Sequence, residues 1–181
     1  SIAMPGCSIN NPTLTEADLR NLAVAKQYKV TDVMLPFVRN KADLIILREA
    51  LREYGCEDIR IFAKIENMTG VEHLEELIPY CDYIVIARGD LGNAMPLSQL
   101  PRIQAHIARV CRKHNKDFMI VTQMLDSMIK NPYPTRAEVN DIYHAVTQGA
   151  SALMLTGETA HGKYPVEAMK MLVDTAEESI L

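Results

Sequence analysis

Five short apolar runs, each followed by a polar or glycine-containing turn and then a longer amphipathic stretch, restrict this chain to a βα alternation. The runs are Val33 to Val38, Ile59 to Ala63, Tyr83 to Ala87, Phe118 to Val121 and Ala152 to Leu155. Most are continuously apolar instead of alternating, which is how strands buried on both faces read. Five strands in series, each separated by a helical segment, make parallel pairing with right-handed crossovers the economical topology.

The intervening helices announce themselves by their caps. Thr15 is an N-cap with Asp18 three residues on as a short capping-box partner, and Leu14 and Leu19 are placed for a hydrophobic staple. Pro134-Thr135-Arg136-Ala137-Glu138 is a full capping box, and Pro165 suits the first turn of the last helix. Leu44, Leu47 and Leu51 stack at helical spacing, as do Leu100, Ile103, Ile107 and Val110, so both stripes are expected to face a sheet.

At 181 residues, 48% hydrophobic and 23% charged, the composition is that of a globular domain and excludes disorder and collagen-like repeats. One core, hence one domain over residues 1–181, is the expectation for this length. A net charge of −4 argues against a broad electrostatic grip on nucleic acid or anionic lipid, so any anion site must be local. Cys7, Cys56, Cys81 and Cys111 have no paired spacing and are expected to be reduced thiols. Neither an apolar stretch near a membrane span's length nor a secretory leader is read, and a cytoplasmic location is expected.

Polar side chains of chemical interest collect immediately after the strands: Lys64, Glu66 and Asn67, then Arg88 and Asp90, then Thr122 and Gln123, then Thr156 and Glu158. In a parallel sheet or barrel, that edge is where sites are built. One such residue means little, because a strand must end in something polar; four successive strands doing it weaken that explanation. Lys64 and Glu66, two apart, share a face and could line one pocket, although a structural ion pair would read the same way. Glu66 and Asp90 could converge as hard oxygen ligands for Mg²⁺, and the lack of a nearby His or Cys disfavours zinc. The Gly89 to Gly92 turn could bring backbone amides to a carboxylate or phosphate, or be an ordinary strand-to-helix turn. The five histidines have no metal-ligand spacing. Met124, Met128, Met169 and Met171 read as core filler, and Arg136 as a surface or interface arginine.

Five segments, in order, resemble the signatures of the pyruvate kinase family: Ala63-Lys64-Ile65-Glu66-Asn67, Ala87-Arg88-Gly89-Asp90-Leu91-Gly92, Thr122 to Met128, Pro134 to Glu138, and Met154 to Ala160. The likeness runs from about Pro5-Gly6 to the chain end. It implies a TIM (β/α)₈ barrel with about five of its eight units present here, and transfer of the phosphoryl group of phosphoenolpyruvate to ADP in glycolysis. It also implies Mg²⁺ or Mn²⁺, a K⁺ whose ligands lie outside this chain, ADP/ATP and phosphoenolpyruvate/pyruvate as small-molecule partners, and a homo-oligomer. Residue by residue, Lys64 resembles the family's charge-stabilising lysine, and Glu66 and Asp90 resemble its metal ligands. The amides near Gly89 and Asp90 resemble its hold on the substrate carboxylate, and Thr122 resembles the residue lining the face where enolpyruvate is protonated. Arg88, Thr156 and Glu158 are supporting residues, with Thr156 where the family usually has Ser.

The chain departs from the family at Pro36, where Ser is usual, at Asn93-Ala94-Met95, which lacks the usual acidic residue, and at Tyr143 and His144, where small residues are usual. By this resemblance it begins after three barrel strands and a lid domain and ends before a regulatory domain. Two alternatives use the same residues: a metal-dependent aldolase or lyase acting through a pyruvate enolate, and a non-catalytic remnant that binds ligand or partner only. With three strands absent, the inward residues among Ile61, Val85, Ile120 and Leu153 are expected to lack facing partners, so the chain alone should associate or pack loosely.

Overall fold

A computed structural model describes residues 11–180. The expected alternation is present as α1 (Glu16–Ala25), β1 (Asp32–Leu35), α2 (Lys41–Glu53), β2 (Arg60–Ile65), α3 (Met68–Glu72), α4 (Leu74–Leu77), β3 (Tyr83–Ala87), α5 (Arg88–Asn93), α6 (Leu100–Lys113), β4 (Asp117–Val121), α7 (Arg136–Thr147), β5 (Ala152–Met154), α8 (Gly157–Ala160) and α9 (Pro165–Glu178). All four strand pairings are parallel and the order is β1-β2-β3-β4-β5. Strictly sequential order is that of a barrel wall, whereas a doubly wound sheet reverses its order at a switch point.

Both capping boxes form: the Thr15 side chain accepts from the Asp18 amide and the Thr135 side chain from the Glu138 amide, each carboxylate returning to the cap. Pro165 opens α9 as expected. Leu44, Leu47 and Leu51 on α2 and Ile103, Ile107 and Val110 on α6 are buried in one large core with Ile61, Ala63, Ile65, Ile84, Ile86, Phe118 and Ile120 from the strands. A second, smaller cluster holds Phe62, Val85, Ala87 and Val121, with Tyr83, Met119 and Met154 against it, and every member lies on a strand. Among the described residues, helices therefore cover one face of the sheet and the other is lined by strand side chains.

That division decides which of the four candidate inward residues face away from the helices. Of Ile61, Val85, Ile120 and Leu153, only Val85 belongs to the helix-free face; the other three pack in the helix-covered core. β1 also stops at Leu35, short of Val38, because Pro36 has no N–H with which to continue a ladder. β2 runs on through Lys64 to Ile65. Met124 and Met128 are core residues as expected and Met171 is partly buried, but Met169 is 45% exposed, because α9 turns that face to solvent.

Cys56, Cys81 and Cys111 are free and buried, and burial pushes the thiols of Cys81 and Cys111 up to about 12, so both are protonated at neutral pH. Cys7 lies outside the described residues, as does the Pro5-Gly6 start of the family resemblance. Among the described residues, no helix is long and apolar enough to cross a membrane.

Candidate active site

Phe62, Lys64 and Glu66 alternate onto the helix-free side of β2, so the last two meet at its C-terminal end. Lys64 Nζ lies 2.6 Å from Glu66 Oε1, and Glu66 Oε2 accepts the Phe37 N–H at 2.7 Å. The Glu66 side chain is almost wholly enclosed, and burying a carboxylate unpaired would cost several kcal/mol. Both its oxygens are engaged instead. The Phe37 amide reaches it because Pro36 ends β1 and Phe37 takes a left-handed conformation, φ 53°, which turns the chain across the end of β2. Asn67 reinforces that crossing: its Nδ2 donates to the Val38 carbonyl at 3.2 Å while its Oδ1 caps α3 through the Gly70 amide at 2.8 Å. A Cβ on Gly70 would stand 2.5 Å from the Val38 oxygen, so the approach of α3 to the segment after β1 requires glycine.

One strand along, Arg88, Gly89 and Asp90 form the first turn of α5. The Gly89 amide is not open: it donates to Thr122 Oγ1 at 2.8 Å, and that hydroxyl donates in turn to the Val121 carbonyl at 2.5 Å. A Cβ on Gly89 would meet Thr122 at 3.6 Å, an ordinary contact, so crowding does not demand a glycine here. Among the described residues, nothing pairs with the Asp90 carboxylate, which is half-buried at the same sheet edge.

Thr122 and Gln123 leave β4 with φ of 73° and 53°, a region costly for residues with a Cβ, at about 1 kcal/mol or more each. Arg88, only 8% exposed, holds them there. Its guanidinium donates to the Thr122 carbonyl at 2.7 and 3.2 Å, to the Gln123 carbonyl at 3.2 Å and to Met124 Sδ at 3.0 Å. Its remaining nitrogen pairs with Asp141 on α7 at 2.5 Å. Arg88 therefore supports the site from beneath and does not face it.

At the end of β5, Glu158 is 1% exposed. Its carboxylate accepts the Leu125 N–H at 3.0 Å and the Thr156 N–H at 2.8 Å, with the Thr156 hydroxyl at 3.3 Å. Burial would raise this carboxyl, but the amide donors outweigh it and hold it below the ordinary glutamate range.

The structure thus brings Lys64 to Glu66 and Gly89 to Thr122, and it places Arg88 and Glu158 in contact with the Thr122 to Leu125 segment. The Phe37 amide and Asp141 escaped the sequence reading. Asp141 is far from Arg88 in sequence, and only its place on α7 relates them; Phe37 acts through its backbone, which no side-chain pattern reports. Among the described residues, no cluster of three or more His, Cys, Asp or Glu could enclose a metal. Glu66 and Asp90 are hard oxygen donors, and a six-coordinate divalent ion needs only one or two such groups when water and substrate complete its shell. The donor chemistry fits such an ion. A cleft of about 540 Å³ between α7 and α9, lined by Thr135, Arg136, Tyr143 and Asp174 among others, contains none of these residues.

Residues 1–169 match the model of the family described as pyruvate kinase, barrel domain. The chain is 40% identical over 178 residues to a pyruvate kinase of Clostridium acetobutylicum, covering 98% of this chain and 38% of that protein. It is 41% identical to a pyruvate kinase of Borreliella burgdorferi, covering 98% and 37%, and 39% identical to one of Thermotoga maritima, covering 98% and 38%. It spans less than two fifths of the length of these relatives. With a sequential parallel sheet, helices on one face and polar groups gathered at the strands' C-terminal ends, the chain belongs to the pyruvate kinase barrel-domain family.

Proposed function

We propose that this chain carries the central part of a pyruvate kinase active site, within a longer polypeptide that moves the phosphoryl group of phosphoenolpyruvate to ADP and yields pyruvate and ATP. The observation that supports this best is the Lys64–Glu66 pair, a cation 2.6 Å from a buried carboxylate at a barrel-strand end. Phosphoryl transfer asks little covalent chemistry of a protein and much positioning and charge neutralisation. Lys64 is anchored by Glu66 while its side chain stays partly open, so its charge is held in place without being used up. It would stabilise the phosphoryl oxygens and the enolate left behind.

Glu66 and Asp90 would hold Mg²⁺ or Mn²⁺, which when bound supplies positive charge to the substrate oxygens. The Gly89 and Asp90 amides would take the substrate carboxylate, which would replace Thr122 Oγ1 as acceptor of the Gly89 N–H. Thr122 would then line the face on which the enol carbon is protonated. Arg88, Thr156 and Glu158 keep these groups in register. The same reading carries K⁺ bound outside these residues, residues 1–181 as one part of a single catalytic barrel, a homo-oligomer, a cytoplasmic location, and no nucleic-acid or membrane partner. No observation favours the aldolase or lyase, or the binding-only remnant.

A coupled assay on the complete polypeptide tests it: pyruvate should form from phosphoenolpyruvate only when ADP and a divalent cation are both present. Carbon–carbon cleavage without nucleotide, or ligand binding without turnover, would overturn it.

A further inference from the structure

The segment from Thr122 to Leu125 leaves β4 through two left-handed residues and joins no strand ladder. Two buried, charged side chains from the flanking strand ends hold it. From the β3 side, Arg88 donates to the carbonyls of Thr122 and Gln123. From the β5 side, Glu158 accepts the Leu125 N–H at 3.0 Å through Oε1, while its Oε2 is fixed by the Thr156 N–H at 2.8 Å. A cation on the carbonyls and an anion on the amide suit the two ends of the segment, and hydrogen bonds to charged groups are the stronger kind. Neither anchor is within easy reach of water that could replace it.

We infer that Glu158 is a positioning residue that acts through the Leu125 amide to hold Thr122 in place at the substrate end of β4, without itself touching substrate. This rests on the proposed role of Thr122 at the substrate. A carboxylate is needed because one small group must accept from Leu125 on one oxygen and from Thr156 on the other. Glutamine has the same volume but a single oxygen, so its nitrogen would face one of those N–H groups, donor against donor. Glu158→Gln therefore leaves one of the two N–H groups without an acceptor and keeps the packing.

The test is a double-mutant cycle in the complete polypeptide, comparing the parent, Glu158→Gln, Thr122→Ala and the pair. Glu158→Gln should lower kcat at least ~10-fold in the parent, because a displaced catalytic group loses rate steeply, with KM for phosphoenolpyruvate changed less than ~3-fold. In the Thr122→Ala background the further loss should be under ~2-fold, since nothing remains to be positioned. Equal losses in both backgrounds, or an active parent that Glu158→Gln leaves unchanged, overturn the role of Glu158 alone. A parent without ADP-dependent pyruvate formation overturns the functional reading and this role with it. Amide exchange in the unmutated protein covers the case of a variant that does not fold. The Leu125 and Thr156 amides should exchange as slowly as those of β4, and loop-like exchange at Leu125 overturns the inference.

Discussion

Arg88, on the first turn after β3, and Asp141, on α7, are joined by an ion pair of 2.5 Å between residues 53 positions apart in the chain. The pair ties a helix whose start is fixed by the Thr135–Glu138 capping box to the strained turn at Thr122. Asp141→Ala would leave the buried guanidinium one partner short. We expect a loss of about 2 kcal/mol, below the 3–5 of a fully buried pair because water reaches part of Asp141. Arg88→Met should cost more, since it also releases the Thr122 and Gln123 carbonyls. Urea midpoints measure both, and an Asp141→Ala midpoint equal to the parent's would refute the assignment.

Lys64 and Glu66 should separate in their kinetic signatures. Lys64→Met is expected to lower kcat at least ~10²-fold with little change in substrate binding, because its charge matters most where charge develops. Glu66→Gln and Asp90→Asn should instead raise the Mg²⁺ concentration needed for half-maximal activity, since a neutral amide keeps the shape and loses the attraction for a hard cation. A Mg²⁺ titration that superimposes on the parent's would exclude both residues as ligands.

The fold was legible wherever its cause was local. Thr15 with Asp18 and Thr135 with Glu138 are complete capping chemistry within four residues, and the run Tyr83 to Ala87 is β3 itself. Parity was harder to read. A continuously apolar strand does not say which residues face inward, so among Ile61, Val85, Ile120 and Leu153 the sequence leaves open what the fold decides: only Val85 faces away from the helices. Lys64 held the answer: it alternates with Phe62 and pairs in register with Val85, so its face is the helix-free face. The site was legible as residue types at strand ends. Its geometry was not, because the Arg88–Asp141 pair, the Phe37 amide on Glu66 and the Leu125 amide on Glu158 are contacts that only the folded chain makes.

Acid should unfold this protein through two buried carboxylates, Glu158 and Asp43, and a half-buried one, Glu138. Burial alone would raise Glu158, Glu138 and Asp43, but hydrogen bonds outweigh it. Amide donors hold Glu158, Ser127 and Thr135 hold Glu138, and Arg39 and Thr13 hold Asp43, so all three end below their ordinary values. A depressed folded-state value means that the unfolded chain binds protons first. The stabilisation is therefore fully present above the ordinary values of 4.5 for glutamate and 3.8 for aspartate, and is lost as pH falls through the lower folded values. Thermal midpoints should hold steady from about pH 7 to 5 and then drop steeply, and Glu138→Gln should make that drop shallower. A flat profile down to about pH 3 would exclude this linkage.

The helix-free face decides how residues 1–181 behave when produced alone. Among the described residues, its cluster of Phe62, Val85, Ala87 and Val121 is made of strand residues, and Val85 at its centre is fully buried. The rim is different: Met34 on β1 is 41% exposed. Among the described residues, β1 and β5 each have one strand neighbour, so each presents there a row of backbone N–H and C=O groups that no other described strand pairs. Apolar exposure opposes folding at ~25 cal/mol per Å², and open edges template pairing with a second chain. The 181 residues alone are therefore expected to self-associate through this face and its edges, or to bind a hydrophobic dye strongly as a loosely packed monomer. Met34→Lys, which places a charge on the rim, should reduce both association and dye binding. Sedimentation velocity with a dye assay distinguishes the outcomes, and a compact monomer with weak dye binding and a cooperative melt would show that the face is closed by the chain itself.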